Sequence, residues 1–210
     1  MSYKSILKVI GVVAAVSAVV FTGCEGNSGV DPNDPNNPNN GGGGGNYTYS
    51  GRTVTIGGKV WMAENLNRVT ANSKCYDNDA SNCAKYGRLY NWADAKSACP
   101  AGWHLPSDAE WTALTDAVGG ELTAGTKLKA TSGWYNDGNG TDQYGFSALP
   151  GGFGISDGSF RNVGYGGYWW GATENDATGA RRRLMYYDSE YVGRDYGDLT
   201  ILYSVRCAQD

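Results

Sequence analysis

Histidine is almost absent from this chain: His104 is the single one in 210 residues. One imidazole cannot build a multi-histidine metal site, and His104, close to Trp103 and Trp111, reads as a hydrogen-bonded structural residue rather than a general base. No Cys-x2-Cys pair occurs, which removes the usual zinc spacing. No glycine loop runs into a lysine as phosphate-binding loops do, and no nucleophile elbow is present. Positive charge is scarce, with 17 Lys and Arg against 21 Asp and Glu. The one basic cluster, Arg181-Arg182-Arg183, sits in a strand-like region and is expected to pair with Asp188 and Glu190 rather than with phosphates, so nucleic acid is not an expected partner. No internal repeat is visible.

The chain also lacks an apolar run long enough for a comfortable membrane span. Lys4 and Lys8 precede an apolar stretch from Val9 to Phe21, and Phe21-Thr22-Gly23 leads into Cys24. This is the layout of a lipoprotein signal peptide over residues 1–23, with cleavage before Cys24 and diacylglycerol on its thiol. Lipid there would hold the protein on a membrane, expected to be the outer membrane, since each buried methylene adds about 0.8 kcal/mol. Residues 24–46 hold Pro-Asn repeats and five consecutive glycines, a composition that fills no core and serves as a tether. With the signal removed, 15 basic residues face 21 acidic ones. Residues 47–210 are left as one domain, aromatic enough for a real core.

That domain is organised around Tyr86 to Trp111. Asn91 is placed to N-cap a helix through Ala98, with Trp92, Ala95 and Cys99 at helical spacing. Pro100 and Gly102 end it. Pro106 disfavours the helical region for Leu105, so Trp103 to Leu105 are extended. Ser107 and Glu110 form a capping box that opens a second helix to about Val118, with Trp111, Leu114 and Val118 on one face. Elsewhere short strands and long loops prevail. Arg52 to Ala63 reads as a hairpin about Gly57-Gly58, Tyr168 to Thr173 as a buried strand, and Arg183 to Cys207 as a closing antiparallel meander. The fold class is therefore α+β.

Cys24 aside, four cysteines remain: Cys75, Cys83, Cys99 and Cys207. An even number in an exported chain indicates disulfides, with three possible connectivities. Cys75 and Cys83 flank a polar turn and most simply close it on themselves.

The pattern Trp92-x-Asp94-Ala95-x3-Cys99-x2-Gly102-Trp103-x-Leu105-Pro106-x3-Glu110-Trp111 resembles the first half of a C-type lectin-like domain. More closely, it is similar to the Fibrobacter succinogenes major paralogous domain, a family of bacterial exported lipoproteins. The likeness continues through Thr55 to Leu66, Gly140 to Gly152, Tyr168-Trp169-Trp170 and Ser204 to Cys207. It implies a lectin-like domain with two helices, a small mostly antiparallel sheet and a long loop region. It also implies the bond from first helix to last strand, which here is Cys99–Cys207.

The candidate ligand residues follow. Asp137, Asn139 and Asp142 put three oxygen donors in one loop, either a calcium site or an Asx-rich turn that caps its own backbone. The Glu-Pro-Asn, Gln-Pro-Asp and Trp-Asn-Asp tripeptides that carry calcium in sugar-binding lectins do not stand here, and Trp134-Tyr-Asn-Asp137 carries an extra tyrosine. Glu174 follows the tryptophan pair. Trp134, Tyr165, Tyr168, Tyr187 and Tyr191, among Gly, Asp and Arg, are candidates for a contact face of rigid aromatic rings. The expected function is a non-catalytic, surface-displayed binding or adhesion module for glycan or protein. The alternative, on a related fold, is an oxidative enzyme of the formylglycine-generating type with a reactive Cys207.

Overall fold

The computed structural model describes residues 48–210; the expected signal peptide, Cys24 and the expected tether lie outside them. The hairpin appears as β1 (Thr53–Ile56) and β2 (Lys59–Met62), antiparallel with Ile56 opposite Lys59. Gly57 and Gly58 take φ of 62° and 77°. Positive φ at both central positions is what a two-residue turn needs to match strand twist. After a 3-10 turn at Tyr76–Asn78 come α1 (Ala80–Tyr86), β3 (Leu89–Tyr90) and α2 (Trp92–Ala98). Then follow β4 (Trp103–His104), α3 (Asp108–Ala117) and α4 (Ala124–Leu128). Asn91 caps α2 by accepting from the Asp94 N–H, and Ser107 with Glu110 closes the capping box of α3.

The strands of the second half are β5 (Gly151–Gly154), β6 (Phe160–Val163), β7 (Gly166–Glu174), β8 (Gly179–Tyr186) and β9 (Gly193–Asp198). The chain closes with β10 (Tyr203–Ser204) and β11 (Ala208–Gln209). One open sheet is four-stranded and antiparallel, in the order β1-β2-β11-β4. The other has seven strands centred on β7, which pairs antiparallel with β8 and parallel with β5 and β10. The meander is β7-β8-β9, as the sequence indicates, but β10 leaves it to lie between β7 and β3.

The two core clusters meet on β7. Side chains alternate across a strand, so Trp169 enters one cluster with Trp61, Trp111, Phe146 and Met185. Its neighbours Tyr168 and Trp170 enter the other with Tyr90, Trp92 and Tyr203. A strand buried on both faces explains three consecutive aromatics.

Two expectations are corrected. Among the described residues four α-helices are present, not two, because α1 and α4 join the expected α2 and α3. The arginine triplet does not pair with Asp188 and Glu190: Arg183 reaches Asp108 at 2.6 Å and Arg182 reaches Asp195 at 2.9 Å. Successive residues of β8 face opposite sides of the sheet, so neighbours in sequence find different acids. Both disulfides form as expected, Cys75–Cys83 and Cys99–Cys207.

Candidate functional site

Lys129, just past α4, is only 4% exposed, and nothing in its sequence context marks it. Its ammonium donates to the carbonyls of Tyr186 (3.2 Å), Tyr187 (3.4 Å) and Ser189 (3.0 Å). Nζ also lies 5.2 Å from the centre of the Trp134 ring. Burial lowers the ammonium's pKa, against the opposing pull of Asp188 and Glu190. The turn after β8 is thus wrapped around a cation supplied by the chain itself. Gly138 lets the loop at 133–142 lie directly against that turn: a Cβ there would come within 2.1 Å of the Tyr187 carbonyl.

Three tyrosines meet where these loops join. Tyr135 (51% exposed) stacks on Tyr165 (42% exposed), with centroids 4.4 Å apart and planes 24° from parallel. Both present their rings edge-on to Tyr187, at 5.4 and 5.6 Å. The backbone fixes the arrangement, since Tyr135 N–H donates to Gly164 O at 2.8 Å and Tyr187 N–H to Tyr165 O at 2.9 Å. Tyr135 was not singled out from sequence. The signal was the same extra tyrosine in Trp134-Tyr-Asn-Asp137 that departs from the lectin tripeptide.

Of the expected contact residues, the structure brings Tyr165 and Tyr187 together. Tyr191 and Glu174 are exposed, Glu174 at the end of β7. Trp134 and Tyr168 are corrections. Trp134 is 4% exposed and donates from its indole to Ala148 O, because the loop folds its ring inward against Lys129. Tyr168 is 2% exposed on the doubly covered strand, its hydroxyl bonded to Asn162 and Tyr186.

The Asx loop largely uses its own oxygens. Asn139 Oδ1 accepts from Trp134 N–H at 3.1 Å, and both Asp142 oxygens accept from Ser147, each at 2.6 Å. Asp137 is exposed in a left-handed turn at φ 57°. Among the described residues no group of three or more His, Cys, Asp or Glu is placed to hold a metal. His104 bridges two carboxylates, Asp210 through Nδ1 at 2.7 Å and Glu110 through Nε2 at 2.8 Å.

A concavity of about 770 Å³ lies between α2 and the β5–β6 hairpin. Trp92, Ile155, Phe160 and Leu202 give it an apolar lining, and Lys74 and Lys96 add positive charge. That volume falls in the range of small-molecule sites.

Mixed α+β architecture, two disulfides and an aromatic cluster on long loops define a stapled, loop-displaying domain. Its sequence matches the Fibrobacter succinogenes major domain over residues 54–209, and the chain belongs to that family. Neither the curated proteins nor the solved structures yield a match.

Proposed function

We propose that this protein is an exported, lipid-tethered, non-catalytic binding module on a C-type lectin-like frame, and that Tyr135, Tyr165 and Tyr187 contact a glycan. The carrying observation is the tyrosine cluster: two half-exposed stacked rings braced edge-on by a third, on loops tied by backbone hydrogen bonds. Rigid rings offer a large flat apolar face with a polar hydroxyl at small entropic cost. The lectin-like frame is supported by the pairing of early β2 with terminal β11 and by the Cys99–Cys207 bond from the end of α2 to the last strands. The oxidative-enzyme alternative needs a reactive Cys207, and Cys207 is bonded to Cys99. The membrane anchor rests on the residues around Cys24, and Cys24→Ala is expected to release the protein from membranes.

A glycan array tests the ligand class. Tyr165→Ala and Tyr187→Ala are each expected to weaken glycan binding at least tenfold, about 1.4 kcal/mol, with the thermal midpoint nearly unchanged for the exposed Tyr165. Chelator is expected to leave binding intact, since Lys129 already supplies the cation at the neighbouring turn. Binding unaffected by both substitutions would sink the assignment.

A further inference from the structure

We propose that the Cys75–Cys83 disulfide is a thiol–disulfide exchange site that takes a dithiol as its substrate. Arg88 carries the inference. Its Nη1 lies 3.6 Å from Cys75 Sγ and 3.5 Å from Cys83 Sγ, so one guanidinium nitrogen faces both sulfurs. The remaining donors are fixed by Ser73, Nε to Oγ at 3.0 Å and Nη2 to the carbonyl at 3.2 Å. This cation is half-buried, and among the described residues it forms no ion pair. Burial without an anion disfavours its charge and lowers its pKa. Breaking the S–S bond would put an anion beside it, because a thiolate next to Arg is the stabilised form. The second disulfide differs: no hydrogen bond from a cation to Cys99 or Cys207 sulfur occurs among the described residues, and Cys207 is fully buried.

Access is one-sided. Cys75 is partly exposed while Cys83 is 1% exposed. A thiolate of the dithiol attacks Cys75 Sγ, the S–S bond breaks, and its electron pair leaves on Cys83, facing Arg88. The second thiol of the substrate then attacks the substrate sulfur of the mixed disulfide and expels Cys75. The substrate departs as its own disulfide, oxidised by two electrons. Of its two protons, one remains on a protein thiol and one passes to solvent, while the other cysteine pairs with Arg88 as thiolate. A better-stabilised leaving thiolate speeds such exchange. Asn72, Lys74 and Asn78, next to Cys75 in the chain, line the 770 Å³ concavity, so opening the bond frees one of its walls.

The test is a dithiothreitol titration of the intact folded protein, with alkylation and peptide mapping to follow each disulfide separately. Cys75–Cys83 is expected to open at a dithiothreitol concentration at least tenfold below that for Cys99–Cys207. Arg88→Gln should raise the Cys75–Cys83 midpoint at least fivefold and leave Cys99–Cys207 unmoved, and Arg88→Lys should restore part of the lability. Wild-type protein alone is decisive if the Gln variant fails to fold. Both bonds opening together, Cys99–Cys207 opening first, or a midpoint indifferent to Arg88 would each overturn the proposal.

Discussion

Asp108 is held between two arginines of unequal exposure. Its carboxylate accepts from Arg183 at 2.6 Å and from Arg194 Nη2 at 2.6 Å. Desolvation pushes its pKa up, but the hydrogen bonds from Arg194 and Arg183 outweigh it and hold the group below the ordinary carboxylate value. The two arginines are not equivalent, since the Arg183 side chain is 1% exposed and that of Arg194 is 46% exposed. Removing an acid from a buried pair leaves an uncompensated charge, at a cost of about 3–5 kcal/mol. A surface pair contributes about 1 kcal/mol or less. Urea unfolding should therefore show Asp108→Asn losing about 3 kcal/mol or more, and Arg194→Gln losing much less. None of this was legible in the sequence. The Arg181-Arg182-Arg183 run shows charge, but Asp108 lies 75 residues from Arg183, and only the fold makes them neighbours.

Among the elements, α2 and α3 could be read because the residues that cap them are adjacent to the residues they bury. Asn91 stands next to Trp92 and Ser107 one helical turn before Trp111, so local chemistry and core demand agree. The helices α1 and α4 lack that agreement. The first is seven residues held by the Asp79 cap and the Cys83 bond. The second contains Gly125, whose N–H donates to Glu190 O, and a Cβ there would lie 2.6 Å from that oxygen. The tyrosine-rich face was half legible for the same reason. Composition flags Tyr165 and Tyr187, but only tertiary packing separates them from buried Tyr168. The turn after β8 makes the dependence testable. Lys129→Met keeps the buried stem and deletes the donor to three carbonyls, which costs about 1–3 kcal/mol for buried acceptors left unmade. Hydrogen exchange is expected to accelerate at residues 186–191, and glycan binding to fall with it, since Tyr187 is anchored there.

For the whole molecule, acid response centres on Glu110. It joins β2 through Lys59 at 2.6 Å, β4 through His104 at 2.8 Å, and the start of α3 through Ser107. Burial raises its pKa, yet the bonds from Lys59, Ser107 and His104 prevail and lower it from 4.5 to about 2. A carboxylate depressed by folding contributes stability that is complete above the unfolded value and lost as pH falls through the folded one. The window is thus about pH 4.5 down to about 2. At 1.36 kcal/mol per unit the contribution is about 3 kcal/mol. Between pH 6 and pH 2.5, stability read by denaturation should fall by about 2–3 kcal/mol less in Glu110→Gln than in the unsubstituted protein, the remaining fall belonging to other depressed carboxylates such as Asp108. Such a network links three elements and was invisible in the linear chain, although the Ser107–Glu110 capping box within it was plain.

The placement of β11 has a further consequence, for the order of events in time. Ala208 pairs with Trp61 on one side and His104 on the other, so the strand that arrives last in chain order fills the middle of the four-stranded sheet. Met62 N–H, too, waits for Cys207 O, and Leu66 N–H for Val205 O. A nascent chain emerging from its N-terminal end cannot assemble this sheet stepwise. It must hold the β1–β2 hairpin and α3 without their central partner until the residues of β11 have been made. Closure then joins ends separated by nearly the whole domain, a non-local pairing of the kind that slows folding. During that interval the exposed edge of β2 is the segment most in need of protection from pairing with another chain.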